Sequence, residues 1–200
     1  MKGMIQRKDF QIILEFIEPK SKVLDLGCGT GELLNELNRI KNVDGLGIEI
    51  SLESIKKCLE YGLSVVQEDL NEGLKDFQNN SFDYVILSQT LEEISNPVHL
   101  IREMLRVGKK CIISFENLAY WRNRISFLVY GSLNRIGTHM KWFIGGKKQQ
   151  ILTVNKFLNF SKHYNFEICK KIFLPRKKSH LTSIFPNFYS KTAIFILIKK

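Results

Sequence analysis

Val23-Leu24-Asp25-Leu26-Gly27-Cys28-Gly29-Thr30-Gly31-Glu32-Leu33-Leu34 decides the fold. A short apolar run, then alternating glycines, then helix-forming residues read as a strand, a tight turn and a helix N-terminus in succession. Without a Cβ, the backbone at Gly27, Gly29 and Gly31 can take positive φ and let a ligand approach the main chain closely. The helix starting near Gly31 aims free N–H groups and the positive end of its dipole at that turn.

Working outward, two more acids bear on the ligand. The dinucleotide fingerprint G-x-G-x-x-G needs a third glycine where this chain has Glu32, so the pattern is instead Asp-x-Gly-x-Gly-x-Gly. The next apolar run, Gly45-Leu46-Gly47-Ile48-Glu49, ends on a carboxylate about 20 residues past the turn, the usual place for an acceptor of ribose hydroxyls. A third strand, Leu63-Ser64-Val65-Val66-Gln67, delivers Glu68-Asp69-Leu70 at its carboxyl end, where open α/β sheets bind ligands. Asp69 is the better candidate of the two acids, because its place at the strand end suits the shorter side chain. A free diol and no pyrophosphate describe an adenosyl ligand.

The other elements follow by the same grammar. Phe10, Ile13, Leu14 and Ile17 at helical spacing predict a leading helix over about residues 6–17, packed on the sheet edge. Ser51 is a cap for a helix over 52–60, and Asn71 to Asn80 is polar with a short helical piece around Leu74–Phe77. Ser81 to Ser88 is a fourth strand, apolar enough to be covered on both faces. In a doubly wound sheet its end, Ser88-Gln89, lies beside the glycine turn. Asn96-Pro97 opens a helix to Val107, and Lys110 to Phe115 is a fifth strand. From Glu116 the pattern changes: aromatics and cations to Arg124, a short apolar helix near Ile125–Tyr130, then a glycine- and lysine-rich stretch, Gly131 to Gln149, that reads as mobile. Thr153 caps a last helix, and Phe166–Phe173 and Ala193–Ile198 form two final strands, joined by a long loop containing Pro186, as an antiparallel hairpin.

Strands alternating with helices make this an α/β chain with a parallel sheet. Two hundred residues at 44% hydrophobic fit one domain, 1–200, with a lid or insertion at about 116–150. No apolar run reaches transmembrane length and the N-terminus lacks a signal-peptide core, so a cytoplasmic protein without a transmembrane segment is expected. The four cysteines show no metal or disulfide spacing and are expected as buried, reduced thiols. Net charge is +10, unevenly spread: residues 1–100 carry 10 Lys+Arg against 17 Asp+Glu, and residues 101–200 carry 20 against 3. Such a basic half can draw an acidic substrate, RNA, an anionic membrane or an acidic partner, or it is a lysine-rich solvated surface.

The glycine turn with its acids resembles that of class I S-adenosylmethionine-dependent methyltransferases. The resemblance implies a Rossmann-like, doubly wound seven-stranded sheet, mostly parallel with an antiparallel last strand. It implies S-adenosyl-L-methionine as cofactor, S-adenosyl-L-homocysteine as product, and a cofactor site at Asp25, Gly27, Cys28, Gly29, Gly31, Glu49, Ile50, Asp69, Leu70, Ser88 and Gln89. In it Asp69 takes the adenine amino group, Leu70 offers its backbone N–H to the ring, and Ser88-Gln89 marks where methionine and acceptor meet. No catalytic residue or metal ligand is apparent.

Three further segments, Phe82 to Leu91, Ile113-Ser114-Phe115-Glu116-Asn117 with Trp121-Arg122-Asn123-Arg124, and Phe185-Pro186-Asn187-Phe188, resemble the methionine-biosynthesis family MetW. The chain departs from that family's Tyr-Asp-Thr-Pro-Asn-Ile-His-like run at Gly145 to Gln150. The resemblance implies a role in methionine synthesis alongside homoserine O-acetyltransferase. Three readings follow: a methyltransferase acting on a small molecule or a protein, a non-catalytic cofactor-sensing regulator of that enzyme, or an RNA methyltransferase. The third is disfavoured because no stacking-aromatic RNA motif is present, so nucleic acid is not the expected partner.

Overall fold

A computed structural model describes residues 7–131, 150–176 and 180–199. Seven strands form one sheet: β1 (Lys22–Leu26), β2 (Asp44–Glu49), β3 (Ser64–Gln67), β4 (Phe82–Ser88), β5 (Gly108–Glu116), β6 (Glu167–Leu174) and β7 (Thr192–Ile198). Their order is β3-β2-β1-β4-β5-β7-β6, parallel except for β7, which runs antiparallel to both its neighbours. The order reverses direction between β1 and β4, and the C-terminal ends there frame a crevice, the general ligand position of open α/β sheets.

Helices α1 (Lys8–Phe16), α2 (Glu32–Lys41), α3 (Leu52–Glu60), α4 (Pro97–Val107), α5 (Trp121–Tyr130) and α6 (Val154–His163) surround the sheet. Caps set several boundaries. Ser51 accepts from the Ser54 amide, Asn96 from His99 and Thr153 from Lys156, each satisfying one of the donors a helix leaves free at its start. One core face is built on Phe115, whose ring centroid lies 5.3 Å from Phe157 and 5.8 Å from Phe195.

Three expectations change. The leading helix does not lie on the sheet edge: Phe10, Ile13, Leu14 and Ile17 pack with Val23, Tyr84, Ile112 and Ile194, across β1, β4, β5 and β7. That face is all apolar in the middle of the sheet, so the amphipathic helix buries more area there than an edge would offer. The polar stretch after β3 carries its single turn of 3-10 helix at Leu70–Glu72 rather than at Leu74–Phe77. Residues 74–77 form a hydrogen-bonded turn instead, the Phe77 amide donating to the Leu74 carbonyl at 3.1 Å, and the Arg106 guanidinium donates to the carbonyls of Leu74 and Phe77 (2.7 Å each), which holds that turn against α4. The connection before β7 is not a bare loop but contains two one-turn helices, α7 (Leu181–Ile184) and α8 (Pro186–Tyr189).

The apolar helix after β5 is present as α5, longer than predicted, with Phe127, Leu128 and Val129 exposed. The glycine- and lysine-rich stretch beyond Gly131 falls outside the described residues. Among those described, no helix is long and apolar enough to cross a membrane.

The family-like segments meet one another. Asn117, at the end of β5, is 1% exposed. Its Nδ2 donates to the carbonyls of Asn187 (3.1 Å) and Ser190 (2.9 Å), and its Oδ1 accepts from the amides of Ala119 (3.2 Å) and Val154 (3.3 Å). Asn123 closes the knot by donating to the carbonyls of Asn117 and Leu118. This motif fastens α5, α6 and α8 to the sheet rather than presenting chemistry.

Candidate functional site: a three-part crevice

The glycine turn adopts the conformation its residues demand. Gly27, Gly29 and Gly31 have φ of +67°, +56° and +78°. Gly27 is also sterically required, because a Cβ there would stand 2.7 Å from the Thr90 side chain. Around Gly29 a Cβ would meet nothing within 4 Å, so the turn is open on that side.

Glu49 ties this turn to β2. Its Oε2 accepts from the Gly29 amide at 2.9 Å, and its Oε1 accepts from the amides of Ile50 (2.9 Å) and Ser51 (2.8 Å). A carboxylate offers about four lone-pair sites, so these three bonds leave one site, on Oε2, for a hydroxyl. Glu49 lines a first cavity of about 240 Å³ with Gly27, Ile50, Asp69, Leu70 and Thr90. Asp69 caps the following turn, its Oδ1 accepting from the Asn71 amide at 3.0 Å and from Asn71 Nδ2 at 2.8 Å. Glu68 faces the same cavity, and burial raises its pKa above the usual carboxylate range.

Gly27 and Thr90 also belong to a second cavity, about 290 Å³, which adds Asp25, Cys28, Gly29, Ser88, Gln89 and Arg7. Asp25 is 3% exposed at the end of β1. Burial pushes its pKa up to about 7, against the pull of the Arg7 charge and with help from Glu49. Cys28 is half-buried and burial raises its thiol well above the ordinary value. Cys58 and Cys111 are buried as expected, whereas Cys169 is exposed because it lies on the edge strand β6.

The end of β4 is organised by a group that sequence reasoning missed. Asp9, 4% exposed on α1, forms a bidentate pair with Arg7 (Oδ1 to Nε 3.2 Å, Oδ2 to Nη2 2.6 Å). It also accepts from Gln89 Nε2 at 3.2 Å and Ser114 Oγ at 3.3 Å, while Ser88 Oγ accepts from Arg7 Nη2 at 2.9 Å. Gln89 has φ of +56°, a conformation costing a non-glycine residue about 1–2 kcal/mol. Its amide donating to the Ser114 carbonyl at 2.8 Å and its side chain on Asp9 hold it there. The sequence did carry a signal, because Asp9 shares the apolar face of α1 with Ile13, one helical turn on. A lone acid on such a face needs a partner.

Arg7 and Gln89 also line a third cavity, about 300 Å³, between the ends of β5, β6 and β7. The predicted positions therefore converge. Asp25, Gly27, Cys28, Gly29, Glu49, Ile50, Asp69, Leu70, Ser88 and Gln89 line the first two cavities, and Gly31 caps α2 behind them. The histidines stand elsewhere. His99 packs under Gly73, His163 ends α6 and His180 precedes α7, while His139 lies outside the described residues. Gln150, where the family's run would have its histidine, instead supports the loop after β4, its amide donating to the Glu92 carbonyl at 2.7 Å. Among the described residues no cluster of side chains could hold a metal ion.

The residues present suit an adenosylmethionine. Glu49 keeps one acceptor site while lining the first cavity, the turn is open at Gly29, and the buried Asp25 carboxyl lines the second cavity, groups that could hold a hydroxyl-bearing, cationic ligand of that kind.

The chain is 41% identical over 131 residues to the "Bifunctional methionine biosynthesis protein MetXA/MetW" of Rhodopirellula baltica, covering 62% of this chain and 21% of that protein. It is 31% identical over 110 residues to a demethylmenaquinone methyltransferase of Bacillus cereus, covering 52% of this chain and 46% of that one. The chain thus spans less than half the length of either curated relative. Among solved structures, a SAM-dependent methyltransferase from Archaeoglobus fulgidus superposes with a TM-score of 0.70 at 19% identity, covering 96% of this chain and 91% of that one, which establishes the shared fold. The model of the family "Methionine biosynthesis protein MetW" matches residues 7–197, and the chain belongs to that family.

Proposed function

We propose that the chain binds S-adenosyl-L-methionine in the first two cavities and is a class I methyltransferase of methionine biosynthesis, working in the cytoplasm beside homoserine O-acetyltransferase. The observation carrying this is Glu49, which lines the crevice while fastening the open glycine turn. Its Oε2 takes a hydroxyl of the ribose diol, Asp69 the adenine amino group, and the N–H of Leu70 the ring. Asp25 faces the methionine ammonium, and the sulfonium lies near Ser88-Gln89. Methyl transfer is an in-line displacement at carbon, so the protein's contribution is alignment and exclusion of water. Arg7, Asp9 and Ser114 act by holding the end of β4 rigid.

A second reading, a cofactor-sensing regulator without turnover, draws on the relative whose printed name joins MetXA and MetW in one chain. Calorimetry with S-adenosylmethionine, followed by turnover assays with and without homoserine O-acetyltransferase, separates the two. Binding with methyl release supports the enzyme. Binding without release, together with altered acetyltransferase activity, supports the sensor. No binding refutes both.

A further inference from the structure

The third cavity carries a charge pattern that the proposed cofactor does not use. It is lined by Arg7, Lys8, Arg176 and Lys191 against two carboxylates, Asp9 and Glu116. Both carboxylates are engaged: Asp9 with Arg7 at 2.6 Å and Glu116 with Lys191 at 3.2 Å. Lys8 and Arg176 are left without a carboxylate among the described residues. They stand together, Lys8 Nζ donating to the Arg176 carbonyl at 3.3 Å. Two uncompensated cations at the rim of a concave site form a place for an anion. At about 300 Å³ the cavity falls at the lower end of ligand-pocket sizes, which suits a small acid rather than a polymer.

The neck toward the cofactor has matching chemistry. Arg7 lines both cavities and spends Nε and Nη2 on Asp9 and Ser88, so both Nη1 hydrogens lack a partner among the described residues. A guanidinium donates and never accepts, which favours an acceptor oxygen bearing negative charge over an amine. No histidine lines any of the three cavities, and the oxygens of Asp9 are taken up by Arg7, Gln89 and Ser114. A nucleophile that arrives already deprotonated needs no general base.

We infer that the methyl acceptor is a small dicarboxylic acid, its outer carboxylate held between Lys8 and Arg176 and its inner carboxylate methylated at the neck beside Arg7. An oxygen of the inner carboxylate attacks the methyl carbon, the C–O bond forms as the C–S bond breaks, and the bonding pair returns to sulfur. The sulfonium becomes the neutral thioether of S-adenosylhomocysteine, the acid becomes a monomethyl ester, and no proton moves.

This rests on the cofactor reading above, and the test keeps the two apart. The protein is incubated with methyl-tritiated S-adenosylmethionine and succinate, glutarate or adipate, and base-labile volatile methanol is counted. Binding of S-adenosylhomocysteine is measured in parallel by calorimetry. The expected result is base-labile product with at least one diacid. Lys8→Ala and Arg176→Ala should raise KM for it about tenfold each, the loss of one charged hydrogen bond, with S-adenosylhomocysteine affinity unchanged. Cofactor binding with no base-labile product from any diacid overturns the inference and leaves the cofactor reading standing. An equal KM in the variants overturns the anchoring role. Absence of cofactor binding removes both readings.

Discussion

Glu49→Gln is the sharpest single perturbation, because one side chain serves both the turn and the proposed sugar contact. Oε1 already receives two amides, from Ile50 and Ser51, and Oε2 receives one, from Gly29. The amide oxygen of glutamine keeps the larger set by taking the Oε1 place. Its NH2 then confronts the Gly29 N–H, donor against donor, and can no longer accept from a ribose hydroxyl. A hydrogen bond to a charged group contributes about 1.5–3 kcal/mol, so affinity for S-adenosylhomocysteine should fall about 10- to 150-fold. Freeing one amide from a part-buried turn should cost about 1 kcal/mol of stability, or about 2–4 °C in a chain of this size. Titration calorimetry reads the first number and a circular-dichroism melt the second. A variant that melts as predicted but binds within about threefold of the wild type would refute the ribose assignment.

Other outcomes follow from the same geometry. Asp25, held at about 7 by burial against 3.8 unfolded, keeps its proton in the folded state, so stability should fall as pH rises from about 4 to about 7 and level off above. The loss is at most about 4 kcal/mol, and Asp25→Asn should flatten that part of a pH series of urea melts. Glu92, also raised to about 7 by burial, contributes a slope of the same sign that this variant leaves in place. Gly27→Ala should lower both the melting temperature and cofactor binding, since its Cβ meets Thr90. Gly29→Ala meets no neighbour but still carries the about 1–2 kcal/mol strain of a φ of +56°, so it should cost less stability than Gly27→Ala, which adds the Thr90 clash, and equal stability losses would contradict this. Asn117→Ala leaves two amides and two carbonyls without their buried partner and should destabilise by at least about 2 kcal/mol in denaturant titration.

Much of the fold was legible because its signals are local. Capping at Ser51 and Asn96 gave α3 and α4 their observed limits, and alternating glycines gave the turn its positive φ values. Glu49 was legible as a crevice acid from spacing alone, although its grip on the Gly29 amide was not. The misses at the site are long-range. Arg7 and Asp9 reach the end of β4 only because α1 crosses the sheet face, and residues some 80 positions apart announce nothing to each other in sequence. Leu74–Phe77 has helical composition but closes only one hydrogen-bonded turn, whose carbonyls also bind Arg106 about 30 positions downstream. The family-like asparagines were recognisable as a pattern, yet their work as a clasp shows only once β5, α6 and α8 are adjacent.

The central claim is that Glu49 and Asp69 together hold an adenosyl group. A crystal structure of the protein with S-adenosylhomocysteine tests it most directly. The account predicts a ribose hydroxyl within hydrogen-bonding distance of Glu49 Oε2 and the adenine amino group on Asp69. A ligand whose sugar lies away from Glu49, or whose amino group is held by Glu68 instead, would contradict it.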